Sequence, residues 1–342
     1  MSGRKERFGE QPPGKDRPTR PAMTVALIVV AKRLAAMAAL LLVISLLVFS
    51  LLWLSPGSTL ATLIGTRPAT PQMVAALTAQ YHLHEGFVGQ YVHWLAGAVH
   101  LDFGRSIQSG ASVTSVIAAH APITLELAAY TLVLTLLVGI PAGMLAGMRR
   151  GSAIDRAVSG LLVLGFSAPG FAVGILLLYV FGVELGWFPV YGAGSGFFGR
   201  IAHLTLPAIA FSIFLTAIVA RQTRAGALGV MERDYIAFAR ARGLSERRIL
   251  LRYALRNIAL PIIAATGVVL IVALSGALFI EEVFSLEGLG YLMYQSVTSR
   301  DIPVVQGLAM FAAAFVVVVN LGVDVIALAI DPRTRYPARA DQ

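Results

Sequence analysis

An all-α membrane protein is the fold class that these 342 residues predict, and three observations predict it. The chain is 57% hydrophobic and only 13% charged, where a soluble domain carries about 25% charged residues. A protein so apolar lacks the polar surface to face water, and a bilayer removes that need. The apolar residues fall into six segments, each near the ~20 residues that a helix needs to cross the hydrocarbon. The basic residues, which leave a formal net charge of +9, stand in short clusters between those segments. That distribution marks membrane orientation rather than nucleic-acid binding. There is no cysteine, so no disulfide framework constrains the chain.

The elements follow in order. Residues 1–22 are polar and proline-rich and are expected to form a disordered cytoplasmic tail. The first span is expected within 23–54. Its apolar run at 34–54 is 21 residues long, too long for a signal-peptide core of about 7–15, and no small-x-small cleavage site follows. Residues 55–121 form a long extracytoplasmic segment, with Tyr81, Tyr91, Trp94 and Phe103 suited to folding onto the outer face. A core over 122–331 supplies five more spans, at 122–147, 157–183, 204–222, 258–281 and 303–330. Residues 332–342 make a second cytoplasmic tail. In this arrangement 23 of the 27 lysines and arginines lie on one side, and only Arg67, Arg105, Arg200 and Arg300 on the other. The asymmetry puts both termini in the cytoplasm of a multi-pass protein of the cytoplasmic membrane.

The most charged stretch, the cytoplasmic segment 223–257, divides by its own local chemistry. Asp234 is suited to capping a short helix from Tyr235. Gly243 is suited to ending it in the left-handed conformation. Ser245 is suited to capping a second helix from Glu246 to about Asn257. The first of these helices alternates small residues (Ala237, Ala239, Ala241) with Tyr235, Ile236 and Phe238. Small residues let a helix seat deeply in a partner's groove, and aromatics anchor it there.

This stretch resembles the coupling motif of the permeases of binding-protein-dependent ABC importers, in the version carried by the dipeptide and oligopeptide branch. The residues that carry the likeness are Asp234-Tyr235, Ala239 to Leu244, Ala254 to Asn257 and Leu260-Pro261. Ala237 stands where the general motif has Glu, and the gap from Gly243 to Pro261 is long; both departures suit that branch. Further likenesses run along nearly the whole chain after residue 30. They are Leu-Asp-Phe-Gly-Arg-Ser at 101–106, Pro-Ile-Thr-Leu-Glu-Leu-Ala at 122–128, Phe-Ser-Leu-Glu-Gly-Leu-Gly at 284–290, Pro-Val-Val-Gln-Gly at 303–307 and Asp-Pro-Arg at 331–333. Glu287 replaces a proline usual in the family and is expected to loosen that outer turn.

The resemblance implies the transmembrane fold of a type I ABC importer. It also implies a second homologous permease subunit, two cytoplasmic ATPases that bind ATP and Mg, and an extracytoplasmic solute-binding protein. This chain would bind no cofactor and catalyse nothing. The coupling residues carried over are Asp234, Tyr235, Ile236, Ala237, Phe238, Ala239, Arg240, Ala241, Arg242, Gly243 and Leu244. The implied cargo is a di- or oligopeptide, with nickel, glutathione and haem as alternatives inside the same class.

Other features carry less. Gly139, Gly143 and Gly147 lie four apart on one helix face, a spacing for close helix packing or a gating surface. Glu126, Asn320 and Asp324 lie in or near apolar spans and are candidates for the translocation pathway. Helix ends and inter-helix pairing account for them more simply, Glu126 by standing in the first turn of its helix. The histidines at 82, 84, 93, 100, 120 and 203 all fall on the outer side, and no cysteine or helical spacing joins them into a metal site. Gly9-x-x-x-x-Gly14-Lys15 lacks the Ser or Thr of a phosphate loop and has no strand before it. Neither a nucleophile elbow nor His-Glu-x-x-His occurs. An ion-coupled secondary transporter would show mid-membrane charges and broken helices, and neither is evident in the sequence. An intramembrane enzyme would need a catalytic pair deep in the spans, and none is present there.

Overall fold

The computed structural model describes residues 22–54, 64, 70–80 and 82–330. The expected tails lie outside the described residues, except that Ala22 already belongs to the first helix; the closing Asp-Pro-Arg at 331–333 lies outside them too. Twelve helices organise what is described. They are α1 (Ala22–Leu54), α2 (Pro71–Gln80), α3 (Phe87–Val99), α4 (Val113–Met148), α5 (Ala153–Ser167), α6 (Gly170–Leu177), α7 (Gly196–Met231), α8 (Asp234–Ala241), α9 (Glu246–Ile249), α10 (Leu255–Val283), α11 (Leu289–Thr298) and α12 (Ile302–Ile330). Among the described residues the only extended pairing is a single bridge between Arg105 and Ser112. Five helical stretches are long and apolar enough to cross a membrane, and a bent pair makes a sixth.

That bent pair corrects the straight third span expected at 157–183. Helices α5 and α6 meet at 96°. The break falls at Ala168-Pro169, both in extended backbone. Proline has no amide hydrogen to donate and pushes the residue before it out of the helical region. After α6 the chain runs on in π-helical turns over Leu178–Glu184. A broken helix therefore does exist here, and its absence cannot be used against a secondary transporter.

Two further spans are longer than their apolar cores. Helix α4 begins at Val113, not near 122, with the Ser112 hydroxyl accepting from the Ser115 amide. Its first turns carry Thr114, Ser115 and His120, which hydropathy alone reads as loop. Helix α7 begins at Gly196 and continues to Met231, past the apolar stretch 204–222.

Helices α4, α7 and α10 form the centre, where Leu127, Leu215, Val219 and Val269 are fully buried. Lipid gives apolar helices no hydrophobic reason to associate, so close packing must hold them. The glycines of α4 supply it. A Cβ on Gly143 would lie 2.4 Å from the Ala220 carbonyl oxygen, and one on Gly147 would lie 2.6 Å from the Ala227 Cβ. Gly139 meets Val219 in the same way. The stripe packs α4 against α7 within one chain. At the end of this interface Arg224 of α7 grips Asp155 of α5 with two bonds of 2.7 and 2.9 Å.

The opposite end of the bundle carries a cap. Phe49 of α1 sits against the rings of Phe87, Tyr91 and Trp94 of α3, with centroids 5.5–5.6 Å apart. The segment 101–112 is tied to the α11–α12 turn by one buried carboxylate. Asp301 accepts from the Ser106 hydroxyl (2.5 Å) and from the amides of Ile107 (3.0 Å) and Gln108 (3.2 Å). A second carboxylate, Glu281, has no exposed surface. It accepts from the Thr124 hydroxyl and from the Tyr291 amide, while Thr124 accepts from Leu289. A hydrogen-bond acceptor thus faces the first turn of α11, whose amides have no partner within the helix. The turn around Glu287 is closed rather than loose. Glu287 itself is exposed, but Phe284 and Leu286 on its near side are buried. Gly288 is required beside it, because a Cβ there would lie 2.3 Å from a Glu281 carboxylate oxygen.

Candidate functional site

Helix α8 leaves the end of α7 through only Glu232 and Arg233. Arg233, not Asp234, occupies the cap position, and Asp234 stands in the first turn, where the dipole favours its charge. The helix ends as the glycine dictates. Gly243 has φ +72°. Its amide bonds the Arg240 carbonyl (2.9 Å), and the Leu244 amide reaches back to the Ala239 carbonyl (3.2 Å). That pair of bonds is a Schellman motif, and the contact of Leu244 with the same hydrophobic cluster as Ala239 completes it. Ser245 then stands at the cap position of α9, without a side-chain bond, and the chain passes through π-helical turns at Leu250–Ala254 into α10.

The eight residues of α8 divide into two faces. Ile236 and Ala239 are buried against Ile249, with Val230, Met231 and Tyr253 around them. Asp234, Tyr235, Ala237, Phe238, Arg240 and Ala241 face outward, as does Arg242 just beyond the helix. Phe238 is 70% exposed, although it is the largest apolar side chain of the helix. Arg240 closes the back of the turn on Glu246 at 2.8 Å. The Glu246 carboxylate, through that hydrogen bond, lifts the Arg240 guanidinium above its ordinary value. Both partners are well exposed, so the pair fixes geometry more than it stabilises. The arrangement is a short helix held by two internal anchors, with an aromatic and small-residue surface that is exposed among the described residues.

The three intramembrane polar candidates do not come together. Glu126 lies well inside α4, so the helix-dipole argument for it fails; instead it pairs with Arg200 of α7 at 2.9 Å. Asp324 pairs with Arg33 of α1. Asn320 lies one turn before Asp324 on α12 and is exposed. The buried carboxylates Asp155, Glu281 and Asp301 were not singled out in the sequence. Glu281 had a signal, since a carboxylate in the last turn of a helix opposes the dipole and needs a specific partner.

The segment between α2 and α3 gathers another group with α3. His82 Nδ1 lies 3.3 Å from Glu85 Oε1, and His93 Nδ1 lies 3.0 Å from Oε2. The His82 and His93 rings stack with centroids 4.0 Å apart. Both rings edge a cavity of about 540 Å³, whose wall also includes Phe49, Gln90 and Trp94.

Comparison with known proteins agrees with this architecture. The family described as "Binding-protein-dependent transport system inner membrane component" matches residues 139–336, more than half of the chain. The N-terminal family that accompanies such components matches 26–128. A putative peptide transport system permease protein of Brucella melitensis is 37% identical over 317 residues, covering 92% of this chain and 100% of the relative. A glutathione transport system permease protein of Escherichia coli is 36% identical over 307 residues, covering 90% and 98%. Among solved structures, a methionine ABC transporter in an inward-facing conformation aligns with a TM-score of 0.54 at 18% identity, over 63% of this chain and 96% of that one. That last likeness speaks for the type I importer fold alone. The chain thus belongs to the inner-membrane components of binding-protein-dependent transport systems, the multi-pass, non-enzymatic permease subunits of ABC importers.

Proposed function

We propose that this permease forms half of the translocation pathway for di- or oligopeptides, and that residues 234–244 dock it onto a cytoplasmic ATPase. The observation that carries the docking role is the two-faced α8. Ile236 and Ala239 fasten it to Ile249 of α9 and to the end of α7, while Tyr235 and Phe238 stand clear. A short helix presenting aromatic anchors among alanines is built to enter a cleft. The partners in this reading are a second homologous permease, two ATPases that hold ATP and Mg, and an extracytoplasmic solute-binding protein. Closure of the ATPases draws the docking helices together and rocks the membrane helices between inward-open and outward-open arrangements, a rigid-body transition. Both termini lie in the cytoplasm, on the side to which the basic clusters belong.

Peptide cargo is supported by relatives such as the Brucella protein, which is named as a peptide transport permease. The relative named for glutathione keeps a small γ-linked peptide within the same reading. Nickel and haem stay in the list of alternatives only through the wider family.

Co-expression of the tagged chain with its genomic neighbours tests the reading. A second membrane chain and an ATPase should co-purify, and the ATPase should be lost when Tyr235 and Phe238 are both replaced by Ala. Reconstituted with a binding protein and ATP, the complex should import labelled dipeptide. Recovery of this chain alone, able to move solute in liposomes without ATP, would overturn the docking role in favour of an ion-coupled carrier.

A further inference from the structure

We propose that His82, Glu85 and His93 form a binding site for a divalent transition-metal ion of the zinc class on the outer segment of this permease. The sequence argued against a metal, because His82 and His84 have neither cysteine nor helical spacing to support them. The fold supplies what the sequence hides. The turn between α2 and α3 brings His82 and Glu85 against the first two turns of α3, where His93 stands. One ligand atom from each of the three residues lies within 4.8 Å of the other two. His82 Nδ1 lies 3.3 Å from Glu85 Oε1 and His93 Nδ1 lies 3.0 Å from Oε2, so the carboxylate touches both stacked rings, and a rotation of the imidazoles brings their nitrogens onto one ion at bonds of about 2.0–2.1 Å.

Three further features fit a ligand set better than a chance contact. Two imidazoles and one carboxylate form a donor combination that zinc takes up, with a fourth position left over. His84 Nε2 lies 3.9 Å from Glu85 Oε1 but outside the three-residue cluster, so the fourth position is open to solvent. His93 Nδ1 lies 3.0 Å from the Gly89 carbonyl as well as from Glu85, and it gives up the carbonyl contact when it turns its lone pair to the ion. Gly89 itself makes room for the carboxylate, since a Cβ there would lie 2.6 Å from Glu85 Oε2. His82 adopts φ +50°, a left-handed conformation uncommon outside glycine, and this turn holds its ring over His93. All the side chains are partly exposed on the segment assigned to the outer side, so an ion from that compartment reaches them.

Such an ion would join the α2–α3 turn to α3 at the edge of the 540 Å³ cavity, which His82 and His93 both line. It would set the shape of that rim. Carbonyl- and carboxylate-seeking ions such as Ca²⁺ and Mg²⁺ do not favour this nitrogen-rich set.

The test uses the full chain, without a histidine tag, in detergent and stripped by chelator. Zn²⁺ is titrated by calorimetry, and bound metal is measured after gel filtration. One zinc per chain is expected at a Kd of about 1 μM or tighter, unaffected by a millimolar excess of Mg²⁺. The His82→Ala/His93→Ala variant should bind at least 10-fold more weakly, and Glu85→Gln should weaken binding in the same direction. His100→Ala/His120→Ala should bind as the parent does. Hydrogen exchange on the unaltered chain provides a readout that needs no variant: zinc should slow exchange across 82–93. Failure to retain zinc, equal binding by the double-alanine variant, or unchanged exchange across 82–93 would overturn the proposal.

Discussion

The cap around residues 101–112 and the segment around α8 treat their polar and aromatic side chains in opposite ways. At the capped end the carboxylates turn inward. Asp301 and Glu281 are buried, and each accepts bonds from groups far away in sequence. Around α8 the aromatics turn outward. Tyr235 and Phe238 are exposed, and the pair that closes the turn, Arg240 with Glu246, is in solvent. One end completes its bonding within the chain, and the other leaves a surface unfinished. A mutation at the capped end should therefore act on stability, and one at the docking end on assembly.

The largest effect expected from that contrast is at Asp301. Replacing it by Ala removes one acceptor from the Ser106 hydroxyl and two main-chain amides. A buried donor left without its acceptor costs about 1–3 kcal/mol, so destabilisation of about 3 kcal/mol or more is expected, read as a drop in the melting temperature in detergent. A variant that melts like the parent would break the comparison. Gly143→Ala comes next. Its Cβ would meet the Ala220 carbonyl, and overpacking of this kind costs about 1–3 kcal/mol. Membrane insertion should remain, with a lower melting point.

Gly243→Val sharpens the contrast at the docking end. No atom lies within 4 Å of the Cβ that would be added, so the strain comes from φ +72° alone. About 1 kcal/mol or more is expected. Transport should fall while folding and insertion stay normal, and normal transport would count against the docking role. Phe238→Ala should have the smallest effect on the isolated chain, within about 0.5 kcal/mol, because the side chain is exposed. Its effect should appear in ATPase affinity, with a loss of about 2 kcal/mol or more, or some 30-fold, if it anchors the interface. Unchanged affinity would move the anchor elsewhere on the helix.

What the sequence made legible was what local rules govern. Apolar length predicted the spans, and Gly243 predicted the end of α8 because a Schellman turn needs only its own few residues. The bend in the third span was written there too, at Pro169, but hydropathy sums are blind to a missing amide hydrogen. Which face of α8 looks outward was not legible, since Ile236 is covered by Ile249, a residue of the next helix. The carboxylate pairings were hidden for a stronger form of the same reason. Asp324 finds Arg33 and Glu126 finds Arg200 across the fold, and no periodicity carries such long-range partnerships. The histidine–glutamate group was missed because its third ligand comes from a separate helix.

The glycine stripe on α4 has a mechanical side. Because Gly143 and Gly147 leave no gap to α7, the two 36-residue helices are in direct backbone-level contact at the end that leads to α8. Each is a rod of about 54 Å at the usual rise. The docking helix hangs from one end of that rod by two residues. In the proposed docking role, a displacement applied there enters the membrane through this closely packed pair. Under the proposed docking role the α4–α7 pair would act as one lever, its stroke at the far end set by where the pair pivots rather than by how tightly α8 is gripped.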